Sequence, residues 1–145
     1  MTLAIKPEYR QKLKVMIARQ EDFRQYPYKD LTGHETIGYG RNLRINGISQ
    51  DEALILMEND LMKAEEELWK TFPGYEKLSD ARKAVLIDMA FNLGIEGFMQ
   101  FRGMILAIDA NDFDKAAEEM LESLWATQTK SRAIQLAMIM RTGVL

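Results

Sequence analysis

Glu21 and Asp30 stand nine residues apart, and Thr36, Gly38 and Gly40 follow in the stretch EDFRQYPYKDLTGHETIGYG at 21–40. These residue types admit one chemistry in particular. A carboxyl held protonated can donate to a leaving oxygen, while a second one held ionised activates water or attacks carbon. That division of labour is the one that cleaves glycosidic bonds. With 22 acidic residues in the chain, such a pair also arises by chance, and two solvated surface acids are the plain alternative. Glu21 is the harder one to explain as surface. It ends a helical pattern running from about Tyr9 to Gln20, so it faces the negative end of the helix dipole at a cost of about 0.3–1 kcal/mol. Such an acid calls for a basic partner or for a use.

The elements that must position these residues can be read from the flanking pattern. Pro7 suits the first helical position and Glu8 the positive first turn, giving a helix over 7–20. Tyr9, Leu13, Met16, Ile17 and Gln20 recur at helical spacing, which predicts a face that meets a core. Residues 22–47 predict a small antiparallel sheet with strands at 24–29, 35–39 and 41–45. Thr32-Gly33 makes its first turn and Asn46-Gly47 closes it. Asp30 also suits the start of that turn, and Thr36 suits a strand. Ser49 with Glu52 is a capping box, opening a helix that reaches about Phe72 and is stopped by Pro73-Gly74. Its apolar stripe is Leu54, Met57, Leu61, Ala64, Leu68 and Phe72, and Glu65, Glu66 and Glu67 fall on its solvated face. Ser79-Asp80 caps a nearly all-apolar helix ending at Leu93-Gly94, the expected centre of a helical lobe. Helices at 98–109, 112–122 (capped by Asn111) and 130–141 (capped by Thr129) complete the reading. Methionine, with 10 copies, is expected mainly as core filler.

Composition narrows the classes. The chain has 145 residues, enough for one folding unit that buries roughly 68% of its unfolded surface. A net charge of −3 argues against a nucleic-acid partner. With no cysteine, disulfide frameworks and thiolate metal sites have nothing to be built from, and a single histidine, His34, nearly excludes His-based metal sites and Ser-His triads. His34 reads as an exposed turn residue. Trp69 and Trp125 could stack on sugars, but core positions are their commoner use. No apolar run approaches the ~18–20 residues of a membrane span. The opening Met1 to Ile5 is mildly apolar but meets Lys6, Pro7 and Glu8, so no secretory pattern is expected.

The whole string carries more than its parts. Glu-x(8)-Asp-x(5)-Thr-x-Gly-x-Gly, at Glu21, Asp30, Thr36, Gly38 and Gly40, resembles the active-site signature of the phage-type lysozymes, the endolysins that cut peptidoglycan. Ser123, Trp125, Gln128, Thr129 and Arg132, then Arg141-Thr-Gly, resemble a second family segment, and Phe91-Asn-Leu-Gly with Phe98 a third. The resemblance spans nearly the whole chain. It implies an α+β, two-lobed lysozyme-like fold in a single domain, 1–145. A small antiparallel sheet lobe (about 21–60) would be joined by a long helix to a larger all-helical lobe (about 1–20 plus 61–145), with the first helix packing on the latter. It implies hydrolysis between N-acetylmuramic acid and N-acetylglucosamine with no cofactor and no metal. Glu21 would be the general acid, Asp30 the second carboxylate and Thr36 a water-positioning hydroxyl. Thr32, Phe91 and Asn92 would belong to the substrate rim, and Arg132 would pair with the catalytic acid. The implied partner is bacterial peptidoglycan and the default state a monomer. A phage protein made in the host cytoplasm would reach the wall after the membrane is permeabilised. The chain departs from the family pattern at Arg41, where many members have histidine, at Thr32, where some have an acid, and in a short 40–49 segment. A lytic transglycosylase and a catalytically silent peptidoglycan binder remain the alternatives.

Overall fold

The computed structural model describes residues 5–145. Residues 1–4 lie outside it, and with them the apolar opening of the chain and the first residues of the expected helical lobe. Two compact units emerge, one ending at Ala53 and one beginning at Leu54. The first contains helix α1 (Pro7–Gln20), strands β1 (Arg24–Lys29), β2 (Glu35–Gly38) and β3 (Arg41–Asn42), the short helix α2 (Leu43–Asn46) and the start of α3 (Gln50–Thr71). The second contains the rest of α3, a 3-10 turn at Tyr75–Lys77, and α4 (Asp80–Met99), α5 (Arg102–Asp109), α6 (Phe113–Leu121), α7 (Leu124–Thr129) and α8 (Ser131–Thr142). The molecule is α+β, with one three-stranded antiparallel sheet in the order β1-β2-β3.

The sheet is irregular for a reason visible in the sequence. Arg24 pairs with Gly38 and Tyr28 with Thr36, so β1 advances four residues where β2 advances two. The surplus sits around Pro27, which has no N–H to give a ladder and is tolerated at such a bulge. The expected third strand over 41–45 is shorter. Asn42 ends it by accepting a hydrogen bond from the Ile45 N–H at 3.1 Å, and so caps the helical turn of α2. Gly47, at φ +52°, then ends that turn. The capping box at Ser49 forms reciprocally, with Ser49 N–H donating to Glu52 Oε2 at 2.7 Å and Glu52 N–H to Ser49 Oγ at 3.2 Å. Arg41 bonds Glu52 Oε1 at 2.8 Å and the Gly47 carbonyl at 2.7 Å, tying β3 to the start of α3. The expected buried face of α1 is not found, since the helix has no buried residue. Within its own unit the only buried side chain among the described residues is Thr36.

The core belongs to the second unit. In α4, Val85, Leu86, Met89 and Ala90 are buried, as the all-apolar pattern requires. Around them lie Phe72 from the chain after α3, Met104 from α5, Met120 from α6 and Met140 from α8. Ala116, Ala117 and Ala133 are fully buried, and their small side chains permit close approach of α6 and α8. Four methionines are thus core filler, whereas Met16, Met57, Met62 and Met138 are exposed. The stripe on α3 is buried only from Ala64 onward. Trp125 is core, but Trp69 is 56% exposed and donates to Glu76 at 2.5 Å.

The helix boundaries differ from expectation in three places. Gly94 does break α4, at φ +73°, but a further helical turn resumes at 95–99 and α5 starts only at Arg102. Asp112, not Asn111, caps α6, accepting from the Lys115 N–H at 3.0 Å, while Asn111 takes the left-handed turn after α5 at φ +56°. Thr129 ends α7 instead of capping α8, because its hydroxyl donates to the Trp125 carbonyl at 2.9 Å and Lys130 turns the chain at φ +49°. No single helix among the described residues is long and apolar enough to cross a membrane.

The cap assignment is testable. Asp112→Ala is expected to cost about 1 kcal/mol in urea denaturation through loss of the α6 cap. Asn111→Gly, which suits the left-handed backbone, is expected to change stability by less than about 0.5 kcal/mol.

Candidate active site

Within the first unit, the hairpin explains the sequence spacing. Glu21 follows α1 directly, its N–H closing the helix on the Ile17 carbonyl at 2.8 Å, and it stands just before β1. Gly40 stands just after β2. Antiparallel pairing of β1 with β2 brings these ends together, so that a Cβ added to Gly40 would lie 3.6 Å from Glu21 Oε2. Gly40 also has φ +78°, which L side chains rarely adopt. The glycine closing the motif therefore shapes backbone beside the candidate acid. Phe23 and Tyr39 brace this end, with ring centroids 5.6 Å apart.

Asp30 occupies the opposite, turn end of the hairpin. Its Oδ1 accepts three hydrogen bonds: from the Thr32 N–H at 2.8 Å, the Thr32 hydroxyl at 2.7 Å and the His34 N–H at 2.9 Å. The Thr32 hydroxyl and then the His34 N–H hold its carboxyl below the ordinary aspartate range, outweighing a small opposing effect of desolvation. The Thr32 N–H and the nearby His34 ring add to the lowering. Asp30 thus performs the turn-starting role its residue type suggests, and the same bonds keep it ionised. Within this unit, no described side chain or backbone N–H donates to Oδ2, which leaves that oxygen for a water.

Thr36 is the buried member of the group, 3% exposed. Its hydroxyl donates to the His34 carbonyl at 3.0 Å, and the same carbonyl accepts the Asp30 N–H at 2.9 Å. With its one proton used, the hydroxyl keeps acceptor capacity only. Asp30, Thr32 and Thr36 are therefore joined through His34. Thr32, expected at the substrate rim, spends its hydroxyl on Asp30.

The second unit brings other named residues together. Arg132 Nε donates to Asp88 Oδ1 at 2.7 Å, and both line a groove of about 510 Å³ with Met57, Leu61, Ile87 and Phe91. Asp88 was not singled out in the sequence; an acid one helical turn before Asn92 on an apolar helix is the signal that could have marked it. Asn92 accepts the Trp125 indole N–H at 2.8 Å through Oδ1, and Trp125 meets Phe101 edge-on at 5.9 Å. This use of Asn92 holds a buried tryptophan. Ser123 caps α7 by accepting the Ala126 N–H at 3.1 Å, and Gly143 ends α8 at φ +72°. The second sequence segment is thus largely scaffold. On α3, Glu65 accepts from Tyr75 at 2.9 Å and Glu66 pairs with Lys70. Among the described residues, no group of three potential ligands is placed to hold a metal.

Two outcomes follow. Asn92→Ala is expected to lower stability by about 1–3 kcal/mol in urea denaturation, because it leaves the Trp125 N–H buried without a partner. For Asp30, a lowered folded-state pKa means that its ionised form stabilises the fold above the unfolded value, and that this contribution is lost as pH falls through the folded value. The Tm gap between the wild type and Asp30→Asn should be widest near neutral pH and close in strong acid.

Comparison with known proteins places these features in a family. Over 158 aligned residues, 90% of the chain is 31% identical to the pre-baseplate central spike protein Gp5 of Enterobacteria phage T4, but the chain spans only 28% of that protein's length. Two proteins of Dictyostelium discoideum named probable T4-type lysozymes are 28% and 25% identical over 92% of the chain, with 95% of each of their lengths covered. The family model described as phage lysozyme matches residues 18–141, which include both candidate carboxylates and Arg132, and the chain belongs to that family.

Proposed function

We propose that the chain is a muramidase that hydrolyses the bond between N-acetylmuramic acid and N-acetylglucosamine in peptidoglycan. Membership of a lysozyme family supports the reaction class. The observation that carries the reading is the unequal treatment of the two carboxylates on one hairpin. Asp30 has three donors on one oxygen, while Glu21 stands at a helix end beside the Gly40 backbone.

Glu21 protonates the leaving oxygen. Asp30, through Oδ2, directs water onto the far face of the sugar, and the acceptor lone pairs of Thr36 help hold that water. Resemblance to the family supports an inverting outcome, which requires carboxyl groups about 6.5–9.5 Å apart, whereas retention requires about 5–5.5 Å. We further propose that the protein works as an endolysin: a monomeric domain, made in the host cytoplasm, that attacks the wall after the membrane is permeabilised. The likeness to part of a spike protein favours a second setting for the same chemistry, in which the domain is one piece of a larger assembly.

Mass spectrometry of fragments from purified peptidoglycan tests the chemistry. The wild type should release fragments with reducing muramic-acid ends, and Glu21→Gln should lower that release by at least about 10³-fold while keeping the wild-type circular dichroism. Anhydro-muramic ends would reassign the chain to transglycosylation. Binding without fragments would make it a silent binder.

A further inference from the structure

We infer that His34 is a positioning residue for Asp30, acting through the Thr32 hydroxyl and through the charge of its own ring; the inference rests on Asp30 being the water-directing carboxylate. The argument is one of proton counting. Thr32 Oγ1 lies 2.7 Å from Asp30 Oδ1 and 2.6 Å from His34 Nδ1. An ionised carboxylate can only accept, so the single hydroxyl proton goes to Asp30. The contact to His34 then requires Nδ1 to be the donor. The neutral ring is therefore the Nδ1–H tautomer, chosen by its hydrogen bond, and Nε2 is the position where a second proton binds.

That second proton breaks neither hydrogen bond. It places a positive ring 3.8 Å from Asp30 Oδ1, which keeps the carboxylate ionised but makes it a weaker base. The backbone of His34 serves the same end, since its N–H donates to Asp30 Oδ1 and its carbonyl receives both the Asp30 N–H and the Thr36 hydroxyl. The other charged groups on the elements packed with this turn are Arg24 and Lys29 of β1 and Glu35 of β2, with Lys29 and Glu35 paired across the hairpin, Arg41 of β3 and Arg44 of α2; Arg24 lies over the Tyr28 ring. Arg41 is committed to Glu52. The charge that bears on Asp30 is that of His34.

His34 is the only histidine in the sequence, so long-range 15N–1H correlation spectra read its tautomer without ambiguity. The expected result is a neutral ring protonated at Nδ1 in the wild type, and loss of that preference in Thr32→Val. In muropeptide-release assays, His34→Ala should lower kcat about fivefold with KM changed by less than about twofold. His34→Asn, whose amide N–H can stand in for Nδ1–H, should recover most of that rate. An Nε2–H tautomer in the wild type, or an unchanged kcat in His34→Ala, would overturn the inference. Full activity in Asp30→Asn would remove its premise instead, and the tautomer spectra would then report the Thr32–His34 contact separately from the role of Asp30.

Discussion

Three hydrogen bonds into a single oxygen, Asp30 Oδ1, set the form of the β1–β2 hairpin, and the site follows from them. They close the turn, fix the register that starts with Lys29 opposite Glu35, and hold one carboxylate ionised. Because all three donors reach the same oxygen, the carboxylate is left with one committed lone-pair set and one available one. The same hairpin, followed to its other end, brings Gly40 beside Glu21. One supersecondary unit thus carries a candidate carboxylate at each end. The bulge around Pro27 takes up two residues of strand length between them.

The second unit works on different physics. Its order comes from apolar packing around α4 and from a few polar ties fastened to it. Arg82 donates to the Met140 and Arg141 carbonyls at 2.8 and 3.1 Å and stacks on Phe113, which fixes the end of α8. Arg132 is held by Asp88, and Trp125 by Asn92. In each case a side chain on α4 anchors an element of the C-terminal half. Asn92, which resembles a substrate-rim residue, is here first of all part of that framework.

The strong local signals were legible in the sequence. Pro7 at the start of α1, the Ser49–Glu52 box, Ser79 at the start of α4 and the break at Gly94 each stand where residue chemistry puts them. What failed were competitions between neighbours. Asn111 and Asp112 are both good caps, and the choice turned on which one takes a positive φ. Arg41 to Ile45 has strand composition, yet Asn42 captures a backbone N–H and turns the chain into α2. In the site, the turn role of Asp30 was readable from its residue type, but the hub at His34 was not. It depends on backbone groups that come together only once the turn has closed. The partners of Arg132 and Asn92 lie 44 and 33 residues away in sequence, beyond any local pattern.

The absence of a buried apolar side chain among the described residues before Ala64 has a consequence for how the molecule opens. Burial of carbon is what makes a region unfold only with the whole, and hydrogen bonds near solvent do not. Within its own unit, the hairpin with Glu21 and Asp30 is thus held by hydrogen bonds and not by buried carbon. Selection on this chain then meets two separate tolerances. Changes in the helical unit are judged by their effect on global stability. Changes in the hairpin are judged by how often its hydrogen-bonded turn is closed.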